Sequence, residues 1–128
     1  MELRLRKIWL GLGIALVATI IFLSLSSNPP KIIHFQFGDK VGHFLAYLTL
    51  MAWFGQLYFK RVSLLILALL FVSMGIGLEI LQGMSGRRFF EIADMAANTI
   101  GVLVGWWLSE NILSGLFAKV EARIVFRQ

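Results

Sequence analysis

Three stretches of this sequence carry side chains that can move a proton or hold an anion. Asp39, His43 and Tyr47 recur at i, i+4 and i+8, a spacing that lines one face of a helix. Glu79 and Gln82 follow at i, i+3. Asp94 and Asn98 stand at i, i+4, on a face that continues through Gly101 and Gly105. Histidine exchanges protons near neutral pH, and Asp39, one turn away, can orient its ring. Glu79 and Asp94 can serve as acid and base, or take a divalent ion. Arg87 and Arg88, in the short link between the last two stretches, can meet a phosphate or carboxylate with the planar guanidinium fork. The catalytic candidates are therefore Asp39, His43, Glu79 and Asp94. The substrate-binding candidates are Tyr47, Gln82, Arg87, Arg88 and Asn98. No Ser/His/Asp order or phosphate-cradling glycine loop names a reaction, and the sequence identifies neither a metal nor a cofactor.

The elements that position these groups are apolar. Of the 128 residues, 59% are hydrophobic and 15% charged, and the mean hydropathy is +0.82. Soluble domains are roughly 45–50% apolar and about 25% charged, so a water-soluble globule is excluded, and so is disorder. Four runs approach the roughly 20 residues that a spanning helix needs: Ile8–Leu25, Val41–Phe59, Val62–Gln82 and Ile92–Leu108. They fill the chain as one membrane domain over residues 1–128. Ile8–Leu25 is longer than the roughly 7–15-residue core of a signal peptide and lacks a small-residue cleavage site. It reads as a retained helix, stopped by Asn28-Pro29-Pro30, since proline cannot continue helical hydrogen bonding. Lys60-Arg61 is the whole expected turn between the second and third runs. There is no cysteine, which excludes disulfides, thiolate zinc sites and thiol catalysis.

Charge sets the expected orientation. Arg4, Arg6, Lys7, Lys60, Arg61, Lys119, Arg123 and Arg127 fall on one side of the four runs; Lys31, Lys40, Arg87 and Arg88 fall on the other. Eight against four places both termini in the cytoplasm. The net charge of +5 and pI near 10.1 do not indicate nucleic acid, because the cations flank apolar runs rather than forming a patch. In the tail, Lys119, Arg123 and Arg127 recur every four residues, with Ile112, Leu113, Leu116, Phe117, Val120 and Ile124 largely on the other side. That pattern predicts an amphipathic interfacial helix suited to an anionic leaflet, or one that simply anchors the last span. Trp106 and Trp107 fall at the inner interface. The expected fold is all-α: an integral membrane bundle of four transmembrane helices, both termini cytoplasmic, plus the C-terminal amphipathic helix.

With that orientation every candidate lies in the outward half of its helix. The inner half of the second to fourth runs offers little beyond Thr49, Gln56 and Ser63. Insertion scales put a mid-membrane charge at about +2.5–3.5 kcal/mol, and ionisable intramembrane groups are functional candidates by default. The alternative for Tyr47, Gln82 and Asn98 is interhelical hydrogen-bond glue. Gly101-x-x-x-Gly105 allows close helix approach, within the chain or in a homo-oligomer. His34 and Gln36 alternate with Ile33, Phe35 and Phe37 in a short extended or interfacial segment.

The ordered set Asp39-Lys40-x-x-His43-x-x-x-Tyr47, Glu79-x-x-Gln82, Gly86-Arg87-Arg88 and Asp94-x-x-x-Asn98-x-x-Gly101-x-x-x-Gly105 resembles the VanZ-like family of small bacterial membrane proteins over about residues 31–108. It departs at Met84-Ser85, where many relatives carry a proline. The resemblance implies a multi-pass protein of the bacterial cytoplasmic membrane. The family's name comes from a member linked to teicoplanin resistance and gives no mechanism. Three functions remain open: an enzyme acting on a lipid-linked phosphate or envelope headgroup by acid–base or metal-assisted chemistry, a non-catalytic envelope binder or glycopeptide-resistance factor, and an ion- or proton-coupled transporter. The expected partners are membrane lipids, including an anionic or polyprenyl-linked headgroup, and no nucleic acid.

Overall fold

Away from water a backbone must satisfy its own hydrogen bonds, and for apolar runs of this length the helix does so locally. The computed structural model describes residues 2–26, 38–86 and 91–127. They form five helices: α1 (Arg6–Leu25), α2 (Gly38–Leu57), α3 (Arg61–Met84), α4 (Ile92–Asn111) and α5 (Leu116–Val125). No strand occurs among the described residues. The segment carrying Pro29, Pro30, His34 and Gln36 lies outside them, as do Arg87 and Arg88.

The helices begin and end where local chemistry allows. α2 starts at Gly38, ahead of the apolar run, with Asp39 in its first turn, where a carboxylate complements the helix dipole. It stops at Leu57 rather than Phe59, so residues 58–60 make the turn and Lys60 is extended before α3. Gly115 has φ +70°, a left-handed conformation that glycine adopts without steric penalty. It turns the chain from α4 into α5, which is bent 54° from α4.

α1 and α3 are each long and apolar enough to cross a membrane, and α4 with α5 makes a third candidate as a bent pair. α2 falls short because Lys40, His43 and Gln56 interrupt it. It is nevertheless the innermost helix. Tyr47, Leu50, Met51, Phe54 and Leu57 are all buried in the core, whereas α1 buries only Gly13 and Ile20. α1 and α3 instead expose Ile8, Leu12, Ile14 and Phe22, and Val62, Leu65, Ile66, Leu69 and Leu70. A contiguous apolar exterior of this extent is not a water-facing surface.

Neighbouring contacts give the helix directions. Trp9 of α1 meets Trp53 of α2, and the Gln82 amide of α3 donates to the Ser24 carbonyl at the far end of α1. α2 and α4 run side by side in the same direction. His43 faces Asn98, the Phe44 carbonyl lies against Gly101, the Leu48 carbonyl against Gly105, and Gly55 against Ser109. A Cβ on Gly105 would stand 2.5 Å from the Leu48 oxygen. The glycine pair is therefore used inside the chain, backbone against backbone. The bundle has a polar end, where α2 and α4 begin and α3 finishes, and a tail end, where the N-terminal segment meets α5.

Candidate functional site

At the polar end, parallel packing of α2 on α4 brings two first turns together. The Lys40 ammonium of α2 pairs with Glu91, the residue before α4, and stands 2.8 Å from Asp94 Oδ1. The Asp94 contact is an ion pair without hydrogen-bond alignment. Asp94 is 6% exposed. A carboxylate so far from water is tolerated only beside a compensating charge. Here the charge comes from one turn of the neighbouring helix.

One turn deeper, His43 lies between two partners on α4. Its Nδ1 is 3.1 Å from Asn98 Oδ1, and its Nε2 is 3.7 Å from Asp94 Oδ2. An amide oxygen only accepts, so the contact puts the proton on Nδ1. Nε2 is left as the basic nitrogen, facing a carboxylate that would stabilise it once protonated. The side chain is half-buried, at 17% exposure, so the imidazole is not sealed in the core. This is the geometry of a proton-accepting imidazole with its tautomer set by a second group.

α3 closes the third side. Glu79 is 1% exposed and its Oε1 accepts from the Glu91 backbone N–H at 2.8 Å. Tyr47 and Asn98 both pack over Gly75, where an added Cβ would lie 3.0 Å from Asn98 Nδ2 and 3.3 Å from Tyr47 Cε1. Gly75 thus lets α3 approach the His43–Asn98 pair.

His43, Glu79, Asp94 and Asn98, with Tyr47 packed below, gather on one side of the bundle. Gln82 is buried but turned to α1 through the Ser24 carbonyl. Asp39 is exposed and has no hydrogen-bond or ion-pair partner among the described residues. The acid beside His43 is Asp94, because the ring points across to α4 and not along its own helix. Two residues that were not among the catalytic or binding candidates, Lys40 and Glu91, complete the cluster. The signal was present: Lys40 stands three residues before His43 and shares its helix face, and Glu91 immediately precedes the α4 turn that carries Asp94. Among the described residues no three His, Asp or Glu side chains gather as metal ligands. The Lys40 ammonium takes the place between Asp94 and Glu91 that a cation would need.

The tail end holds a third buried acid, one that spacing alone did not reveal. Glu121 of α5 is 5% exposed. Its carboxylate accepts from the Arg4 and Leu5 backbone N–H groups at 2.9 and 3.0 Å, and from Trp9 Nε1 at 2.8 Å. Burial pushes its pKa up, but these donors and the nearby Arg4 charge outweigh burial and hold it below the ordinary carboxylate range. Phe117, one turn earlier, stacks on Trp9 with centroids 4.1 Å apart. Gln56 at the end of α2 accepts from the Leu116 N–H at 3.1 Å.

No curated protein and no solved structure matches the chain significantly. A family model, described as VanZ/LLP1, matches residues 11–114. That span takes in most of α1 and all of α2, α3 and α4, a wider stretch than the 31–108 carrying the polar motif. Its helices include those apolar enough to cross a membrane. The chain is a membrane protein of the VanZ/LLP1 family.

Proposed function

We propose that the protein crosses the bacterial cytoplasmic membrane four times, with both termini inside, and that its outward polar end takes up the headgroup of an anionic or polyprenyl-linked envelope lipid and exchanges a proton with it. The observation that carries this reading is His43, with Nδ1 on Asn98 and Nε2 toward Asp94. A base held in that way accepts a proton from a bound hydroxyl or water, and Asp94 stabilises the imidazolium. Lys40 supports anion uptake at the rim, and Arg87 and Arg88 stand between Glu79 and Glu91 in sequence. α2 serves as the fourth span because α1, α3 and α4 pack against it and its His43, Tyr47 and Gln56 side chains face protein, as polar groups inside a membrane do.

The Lys40 ion pairs favour a second reading. With Asp94 and Glu91 already neutralised, the cluster can recognise a headgroup, or shield it from a glycopeptide of the teicoplanin type, without turnover. Reconstituted protein with a labelled polyprenyl-phosphate precursor separates the two. Wild-type turnover that is lost in His43→Gln supports the first. Binding without turnover, equal in both proteins, supports the second. Cysteine labelling tests the topology: Ser85→Cys should react from outside and Arg127→Cys only after the cell is opened, and the reverse pattern would overturn the orientation.

A further inference from the structure

We propose that the tail end is a binding surface for anionic phospholipid headgroups, and that the Glu121 contact assembles it. α5 lies beyond the residues that the family model matches, and the polar-end chemistry does not use it. Its docked face is formed by Phe117 and Glu121, which seat on Trp9 and on the backbone of Arg4 and Leu5. Lys119, Arg123 and Phe126, at i, i+4 and i+7, lie on the opposite face and are exposed, Phe126 to 89%. Ile124 and Val125, in the last turn beyond the docked contact, are also exposed. A helix with cations and unburied apolar groups on its free side matches a headgroup layer, where ammonium and guanidinium groups meet phosphate and the apolar groups enter the acyl boundary.

Docking also gathers charge from elsewhere in the chain. Arg4 comes alongside α5, Arg6 and Lys7 follow it at the start of α1, and Lys60 and Arg61 follow the α2 terminus that Arg6 reaches through the Leu57 carbonyl at 2.9 Å. All of these cations, with Arg127, are exposed. The acid at the contact, Glu121, is turned inward: three N–H donors hold its carboxylate, it forms no ion pair among the described residues, and Arg4 is the one cation whose charge acts on it. The surface so formed is cationic and apolar together. That composition selects a lipid layer over a soluble polyanion, which would use the cations and leave Ile124, Val125 and Phe126 in water.

The inference rests on the four-span reading only for which leaflet the surface meets; a test in mixed micelles is independent of orientation. Detergent-solubilised full-length protein is mixed with phosphatidylglycerol or phosphatidylcholine, and retained lipid is counted by native mass spectrometry. Wild-type protein should retain phosphatidylglycerol preferentially. Each surface cation contributes roughly fivefold, so Lys119→Gln/Arg123→Gln should reduce that preference by roughly tenfold or more. Glu121→Ala, which keeps every cation but frees α5, should reduce it too. Equal retention of both lipids by wild-type protein would overturn the proposal. So would an unchanged preference in the Lys119/Arg123 variant, which alters only exposed positions and folds normally, or in Glu121→Ala. Displacement of phosphatidylglycerol by heparin at equal charge concentration would mark a non-selective polyanion surface and would also overturn it.

Discussion

The two ends of the bundle bury the same kind of group and use it differently. Glu121 at the tail end and Asp94 with Glu79 at the polar end are all withdrawn from water. Glu121 is surrounded by two backbone N–H groups and an indole N–H. None of these donors gives up its proton, so above the carboxylate range the arrangement has one state and acts as a fastener. Asp94 faces Lys40 and His43, and an imidazole can take up and release a proton where a backbone or indole N–H does not. Burial of an acid therefore does not distinguish a fastener from a reactive site. Whether its partners can titrate does.

The widest break in this comparison should come from the contact that aligns α2 with α4. Gly101→Ala puts a Cβ into the Phe44 carbonyl, and backbone cannot move aside as a side chain can. Destabilisation of about 1–3 kcal/mol, the range for overpacking, is expected in thermal unfolding. Gly55→Ala clashes with the Ser109 side chain, 2.6 Å away at Oγ, and meets Leu64 at an ordinary 3.5 Å, so a Ser109→Gly background should relieve it. Equal losses at both positions with no relief would mean that helix approach is not set residue by residue.

A functional contrast between the ends comes next. His43→Gln should lower lipid turnover by roughly 10²–10⁴-fold, as loss of an acid–base group does, with little change in the unfolding temperature. Glu121→Ala should do the opposite: turnover per folded molecule is kept, while stability falls by about 2 kcal/mol through loss of hydrogen bonds to a charged acceptor. Matching effects of the two substitutions on both measurements would erase the distinction.

The smallest effect is a pH dependence at the tail end. Glu121 has a lower pKa folded than unfolded, so the folded state binds fewer protons in that range and stability rises with pH. The contribution is complete above the unfolded carboxylate value of about 4.3 and is lost as pH falls through the folded value. Trp9 fluorescence should report undocking of α5 under acid. The transition should be absent in Glu121→Ala, and a transition that persists there would assign it to another group.

The sequence by itself determined the class of the protein. Helical periodicity, uninterrupted apolar runs and the absence of cysteine depend on local composition, and composition sets which backbone form satisfies its own hydrogen bonds away from water. The spacing of His43, Asp94 and Asn98 was legible for the same reason, because residues four apart share a helix face whatever the helix packs against. Only the tertiary structure decided which faces meet. It joined His43 to Asp94 and not to Asp39, since partner choice depends on the parallel packing of α2 on α4 through Gly101 and Gly105. It sent Gln82 to α1 and brought Lys40 and Glu91 into the cluster. It also turned Glu121 inward on a helix whose charge pattern reads as wholly interfacial. Its partners lie 112 to 117 residues away in the chain, and no local spacing records a contact made across that separation.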